Sequence, residues 1–546
     1  MEDGIAAPQS ADAGMLEVNA AAERSSSHRQ IRKRRWQLPS ALPLIAVLAV
    51  QAALSVRLLR ADTAFQDEAL YLWAGHRELA TLLHGTPIPP FPAYFSGAPV
   101  LYPPLGALID SIGGLAGARS LSLVFMLGAT ALVWGTTSLL FSRRAAFFAA
   151  ALFAALGPTL HLGAFATYDA LSVFLLALAC YCVVRAGERR DATAWMVVAG
   201  IVLALANATA YSTTLFDPVV IGVALLVAIP RPGGKLAAGR CLILLTVVVV
   251  LLAAGLLIGG SYYRTGVSQT TLNRVPGGAS AMTVLADAGQ WVGLVAVLAV
   301  GGIVMSLISR QGSVRTWLLA LLTCAVLVGP FEQAHLHTAA SLNKHVGLGA
   351  WFAAIAAGYA VDKLISAASP GTMQAVTCGA CVVSLVFPLA VGARQSRTFS
   401  SDWPNAFSFL AILRPLVDHG NGRLLVEDPS IAEYYLKAGA QWQRWSSTRN
   451  IVTPSGTSTA GPTSSAGVVG PGNVGVFAVY ILHGYFATVA LNYADTTTLD
   501  YQITRDLRHN PHYHIVQVAP YGFGPDGKTP GTYVIWQYGP VHARRR

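Results

Sequence analysis

Charge is what this sequence has least of. Asp, Glu, Lys and Arg together make up 12% of its 546 residues, while 54% are apolar. An ordinary soluble domain carries about 25% charged residues, so the chain as a whole cannot be a water-soluble globular protein. Cysteine is also sparse. The six, Cys180, Cys182, Cys241, Cys324, Cys378 and Cys381, all fall within apolar runs, which excludes a disulfide framework for any water-exposed part. Cys378-Gly-Ala-Cys381 has redox spacing, but inside an apolar run these are small packing residues. A short-period repeat is lacking as well.

What is present is a series of long apolar runs, at 38–56, 118–140, 145–163, 169–184, 193–210, 215–230, 241–260, 290–308, 316–331, 345–360 and 376–392. Each approaches the length needed to cross about 30 Å of hydrocarbon, giving a polytopic α-helical membrane protein of about 11 transmembrane helices. The run at 215–230 is the weakest, being short with Asp217-Pro218 near one end. Lys and Arg then fix the expected orientation, because cytoplasmic loops retain them. They occur at Arg32-Lys33-Arg34-Arg35 and then on every second loop, at Arg143-Arg144, Arg185, Arg189 and Arg190, Arg231, Lys235 and Arg240, Arg310 and Arg315, and Lys363. The expected arrangement is a multi-pass plasma-membrane protein with a cytoplasmic N-terminus, and with 57–117, 261–289, 332–344 and everything after about 393 outside. Much of the net charge of +11 is thus a topology signal and no nucleic-acid partner is expected. The first run exceeds the 7–15 apolar residues of a signal peptide and reads as an uncleaved span.

Three regions follow. Residues 1–37 are expected to be a disordered cytoplasmic tail. Residues 38–393 form the membrane domain, with an outer loop at 57–117 that contains seven prolines between Pro87 and Pro104 and is therefore expected to be rigid. Within it Leu101-Tyr-Pro-Pro-Leu predicts a short helix starting near Pro103 or Pro104 and lying along the membrane face. Residues 394–546 form an extracytoplasmic α/β domain. Strands are predicted at Arg423–Glu427, Val476–Leu482, His514–Val518 and Tyr533–Trp536, helices at Ser430–Lys437 and Thr496–Leu507, and a mobile loop at 446–475.

The middles of the spans hold essentially no ionisable residues, unlike a transporter, which carries them near the midplane. Polar residues collect at the expected outer ends, among them Asp67, Glu68, His161, Tyr168, Asp169, Arg264, Arg274, Glu332, Lys344 and His345. A site at the membrane surface, handling something partly lipid and partly water-soluble, fits this placement.

"QDEALYLWAG" after the first span, then "LYPPLGALI" and "GAFATYDALSVFLLALA", resemble in order and placement the GT-C superfamily of membrane glycosyltransferases. The likeness is greatest to protein O-mannosyltransferases and the lipid A aminoarabinose transferase, in particular actinobacterial members that end in an outer soluble domain. It covers most of 38–393. The resemblance implies a polyprenyl-phosphate-linked sugar as donor and transfer, with inversion, to a hydroxyl of a cell-envelope glycan, lipid or protein on the outer face. A hexosyl or pentosyl transferase of this type needs a base for the acceptor hydroxyl and cations for the leaving phosphate.

By this resemblance Asp67 is the base; the same carboxylate would also serve as a helix N-cap, with Glu68 favourable at the positive end of that helix. Glu68, about 100° away on a helix, is assigned to the acceptor or sugar. Asp169, at the start of the fourth span, either caps its helix or orients the acceptor or the catalytic loop. Lys344, a cation beside a helix N-terminus, is expected to hold the donor phosphate, with Arg264 second and His345 adjoining, although a lysine there can also simply snorkel to the interface. Tyr102, Tyr168 and His337 are expected to contact substrate. No cofactor is expected; His335, His337 and His345 with Glu332 would be the set for a divalent metal, but His-x-His has no helix-face logic. The rival readings are a transporter or flippase of lipid-linked sugars and a catalytically silent membrane scaffold.

Overall fold

A computed structural model describes residues 41–539 except 94, 188–191, 230–233, 275, 419, 437–441, 449–450, 453–467, 470–473, 495 and 524–528. The expected tail 1–37 and most of the expected loop 446–475 lie outside the described residues.

In hydrocarbon every backbone polar group must be satisfied within the chain, and the apolar runs form helices. Helices α1 (Leu42–Val56), α2 (Gln66–His84), α3 (Tyr102–Leu140), α4 (Arg143–Ala154), α5 (Gly157–Leu162), α6 (Tyr168–Ala186) and α7 (Ala192–Thr209) come first. They are followed by α8 (Asp217–Ala228), α9 (Gly234–Ile258), α10 (Gly260–Val267), α11 (Ala281–Ile308), α12 (Ser313–His335), α13 (Leu342–Ala367), α14 (Thr372–Ser384) and α15 (Val386–Phe399). Among the described residues nine helical stretches are long and apolar enough to cross a membrane, with α1 a shorter apolar helix. The run 145–163 is not one helix: α4 ends at Ala154, and α5 restarts at Gly157 with Pro158 in its first turn.

Pro103 and Pro104 open α3, as their missing N–H groups allow, and Gly114 then breaks it at φ 61° and ψ −163°. The expected short helix and the span after it are the two parts of α3. Helix α13 is central, 83% of its most apolar window being buried, against 6% for Thr372–Phe399 at the periphery. Small residues permit this: a Cβ at Gly349 of α13 would lie 2.3 Å from the Ala325 carbonyl oxygen of α12.

After α15 the chain forms α16 (Phe407–Asp418), β1 (Arg423–Val426), α17 (Pro429–Leu436), β2 (Trp445–Ser447), a short β3/β4 pair (Ile451–Val452 and Val468–Val469), α18 (Val474–Leu482), β5 (Phe486–Leu491), α19 (Thr497–His509), β6 (Tyr513–Phe523) and β7 (Thr529–Tyr538). The main sheet runs β2-β1-β5-β7-β6; β2, β1 and β5 are parallel, and β7 is antiparallel to both neighbours. Adjacent residues of β1 alternate between its faces: Leu424 packs with Phe409 and Leu413, Leu425 with Phe477 and Ile481.

Val476–Leu482, expected as a strand, is helical. A short apolar run carries no decisive period; here the buried residues are Phe477 and Ile481, four apart on one helix face, while Val479 and Leu482 are exposed. The neighbouring strand, β5, went unpredicted.

This α/β region docks on the loop that leads into α2. Trp403 Nε1 donates to the Thr63 carbonyl (3.0 Å), Asn405 Nδ2 to Asp62 Oδ1 (2.9 Å), and the Ala64 N–H to the Tyr435 hydroxyl (2.8 Å). Tyr434 donates to Asp110 Oδ1 of α3 at 2.6 Å.

Candidate active site

The first turn of α2 is set by Glu68. Its Oε2 accepts from the Phe65 N–H (3.0 Å) at the helix start, so the capping contact falls to Glu68 and not to Asp67. The same carboxylate accepts twice from Arg119, at 2.8 and 2.6 Å, and from the Ala166 N–H at 2.8 Å. Arg119 in turn donates to the carbonyls of Leu59, Asp62 and Thr63 at 3.0, 3.1 and 3.2 Å. Both side chains are buried. This bidentate pair ties the loop before α2, the α2 start and the loop before α6 into one unit. Glu68 is thereby placed away from the cavity described next, with its oxygens committed; the expectation that it touches acceptor or sugar is corrected accordingly.

Asp67, one residue earlier, faces a cavity of about 410 Å³ at this end of the helix bundle. Asp169 enters from the first turn of α6; Thr167 Oγ1 donates to it at 2.7 Å. Asp169 stands in the second helical position after Thr167, so it does not cap α6. Lys344 comes from the first turn of α13, its Nζ 2.6 Å from Asp67 Oδ2 and 3.7 Å from Asp169 Oδ2. One ammonium therefore serves two carboxylates, from three helices distant in sequence, with Asp67 the more accessible at 27% exposure against 7% for Asp169.

Tyr168 and His345 also line the cavity. Tyr168 stacks on Tyr71 with ring centroids 4.7 Å apart. Burial, with Tyr168 and the carboxylates of Asp67 and Asp169 nearby, holds the Tyr71 phenol well above its usual range, so it remains protonated. His345 donates its Nδ1–H to the Gln333 amide oxygen at 2.5 Å, while the amide nitrogen donates to Thr338 and Ala340 carbonyls.

Arg264, Tyr102 and His337 do not line the cavity. The Arg264 side chain on α10 is exposed and reaches back to the Gly260 carbonyl. Beyond it a wide helical turn at Ser268–Leu272 carries the chain onward, and Arg274 reaches the cavity wall instead. Tyr102 is buried in the core, near Ser122. His337, at φ 50°, is exposed and reaches the Ala279 carbonyl at 3.2 Å. With His337 turned that way and His345 on Gln333, the proposed histidine set does not converge, and no group of three or more potential metal ligands occurs among the described residues.

The structure adds Arg274, Gln333 and Tyr211 to the wall. Among the described residues Tyr211 has a buried hydroxyl without a hydrogen-bond partner. Arg274 and Glu332 already stood out in the sequence as polar residues at span ends, and both line the cavity; that Arg274 and not Arg264 faces inward depends on the path of the segment between them. The cavity thus joins a solvent-accessible carboxylate, two cations and several hydroxyls, the inventory for moving a proton beside a developing anion.

A family model described as dolichyl-phosphate-mannose-protein mannosyltransferase matches residues 102–258. No curated protein matches the chain in sequence. Among solved structures, ArnT from Cupriavidus metallidurans bound to undecaprenyl phosphate is similar at a TM-score of 0.56 and 13% identity, over 91% of this chain and 98% of that one. Oligosaccharyltransferase AglB from Archaeoglobus fulgidus, in complex with an inhibitory peptide and a dolichol-phosphate, is similar at 0.53 and 14%, over 91% and 74%. An Archaeoglobus fulgidus oligosaccharyltransferase in complex with zinc and sulfate gives 0.53 and 15%, over 88% and 72%. The chain thus has the fold of the GT-C membrane glycosyltransferases and resembles them in sequence over residues 102–258.

Proposed function

We propose that the protein is a glycosyltransferase that moves a sugar from a polyprenyl-phosphate donor to an acceptor hydroxyl, with inversion, at the outer face of the plasma membrane. The observation that carries this reading is the convergence of Asp67, Asp169 and Lys344 at one mouth of the bundle. In the proposed reaction the acceptor oxygen bonds to the anomeric carbon as that carbon's bond to the phosphate oxygen breaks. The acceptor proton passes to the Asp67 carboxylate, and the charge left on the polyprenyl phosphate is taken up by Lys344 and Arg274. Asp169 holds Lys344 from the other side.

The charge pattern supports the orientation. Asp362 lies about five turns along α13 from Lys344, about 27 Å at 1.5 Å per residue, with Lys363 next to it, and Arg144 pairs with Asp362 there. Under the positive-inside rule that basic end is cytoplasmic and the Asp67 end is outside.

The test is to incubate purified protein with a panel of polyprenyl-phosphate sugars and a panel of glycan, lipid and peptide acceptors, and to follow both products by mass spectrometry. Release of polyprenyl phosphate together with a glycosylated acceptor is the expected result. Donor that crosses a vesicle membrane unchanged marks a transporter instead, and a protein with neither activity, whose Tm no donor raises, is a scaffold.

A further inference from the structure

The first turn of α2 has a second cavity on its other side. Successive helical side chains diverge by about 100°, and while Asp67 faces the cavity already described, Phe65 and Gln66 line another of about 220 Å³, shared with the α/β region. Its position follows from the sheet topology. From β1 the chain passes through α17 to β2 on one side, whereas β5 lies parallel to β1 on the other. The strand order therefore reverses between β1 and β5, and in open α/β sheets ligands bind in the crevice beyond the carboxyl ends of strands at such a point. The cavity occupies that place, lined by Val426, Glu427 and Asp428 at the end of β1 and by Ala490 and Asn492 at the end of β5.

The chemistry of the walls narrows the ligand. None of the lining residues is Lys, Arg or His, while Asp402, Glu427 and Asp428 are carboxylates, so a phosphate or other anion is disfavoured. Glu427 shapes the floor, accepting from the backbone N–H groups of Asn492, Ala494 and Thr496 at 2.8, 3.1 and 3.0 Å. Asp402, by contrast, has no hydrogen-bond or ion-pair partner among the described residues and is exposed. Aromatic side chains complete the wall: Trp403 and Tyr533 are buried, and Tyr521 is half-buried. A carboxylate acceptor beside aromatic side chains, in a space smaller than the roughly 300 Å³ at which drug-sized pockets begin, suits one ring that carries both hydroxyls and C–H groups.

We propose that this crevice binds a neutral sugar ring of a glycan acceptor, with Asp402 accepting its hydroxyls and Tyr521 covering a face, and so holds the acceptor chain beside Asp67. The acceptor role rests on the transferase reading; the binding of a sugar does not. The crevice and the catalytic cavity share a helical turn through the neighbours Gln66 and Asp67, so a chain bound in one lies next to the other. The α/β region then selects the acceptor, and the membrane helices hold the donor.

The test uses the full chain in nanodiscs and saturation-transfer NMR with the methyl glycosides of mannose, glucose, galactose and arabinose. At least one should bind, its affinity should fall at least tenfold in Asp402→Ala and in Tyr521→Ala, and it should persist in Asp67→Asn. Asp402 has no hydrogen bond or ion pair to lose among the described residues, and an unchanged unfolding midpoint confirms that its variant is folded. The proposal is overturned if no glycoside binds, or if binding survives both substitutions. Wild-type protein that binds glycosides in this crevice but transfers no sugar contradicts the transferase reading and sustains the crevice. Protein that transfers sugar while its glycoside binding ignores both substitutions contradicts the crevice alone.

Discussion

Helix α13 contributes to an ion pair near each of its ends, and the two arrangements differ in kind. Near its C-terminal end Asp362 pairs with Arg144, with side-chain exposures of 11% and 33%, one charge against one, and Arg144 also donates to Ser366. At its N-terminal end Lys344 is 8% exposed and lies between two carboxylates over a cavity. The first pair is internally complete and has no unspent charge. The second has a surplus negative charge, an accessible oxygen and room for a ligand. Cavity size does not make this distinction, since a larger space of about 480 Å³, lined by Leu139, Phe141, Val227 and Arg315 among others, has no carboxylate in its wall. Unbalanced, accessible charge distinguishes the candidate site.

The comparison can be broken in graded ways. The largest stability effect is expected at the buried Glu68–Arg119 pair, because removing one partner leaves an uncompensated buried charge. Glu68→Gln should cost about 3–5 kcal/mol in chemical denaturation. Asp362→Asn, at a partly exposed pair, should cost less than about 1 kcal/mol; equal losses would remove the structural role given to Glu68. Lys344→Met should lower transfer by about 10²–10³-fold, the usual worth of a group that stabilises developing negative charge, whereas Arg144→Met should leave the rate within about threefold. A rate assay on both variants at saturating donor decides it. Next, Arg274→Ala should raise the donor KM by about 10–100-fold, and Arg264→Ala by less than about twofold, if the cavity wall is as described. Reversal of that order would restore Arg264 as the phosphate residue.

The smallest effect concerns pH. Burial, reinforced by the Asp428 carboxylate and opposed by Arg77, holds Glu433 well above the ordinary glutamate value of 4.5. The folded protein then keeps a proton that the unfolded chain has released, so this contribution is most favourable below about 4.5 and declines as pH rises toward the folded value. Thermal unfolding of Glu433→Gln should show a shallower fall in Tm between about pH 5 and pH 7 than the wild type.

Much of the membrane architecture was legible because hydrocarbon leaves few options: a long apolar run without charge must be a helix, and the break at Pro158 was the departure that proline imposes. Asp67, Asp169 and Lys344 were each singled out from position at a span end, but that they meet was not legible, since it depends on how three helices pack. That Glu68 takes a structural role rather than touching acceptor or sugar was invisible for a similar reason. It is decided by Arg119, which is 51 residues from Glu68 and inside α3, where an arginine gives no sign of its partner. Arg264 and Arg274 could not be ranked because the irregular segment between them sets which one faces inward. In the α/β region α18 was misread for lack of period, while β1, α17 and α19 followed from theirs.

The central claim is that the Asp67 carboxylate takes the acceptor proton. The most direct measurement is the transfer rate of purified Asp67→Asn with donor and acceptor at saturation, on protein whose unfolding midpoint matches the wild type. A fall of about 10²–10⁴-fold in kcat with donor binding retained is the predicted result; transfer at a near wild-type rate would contradict the account.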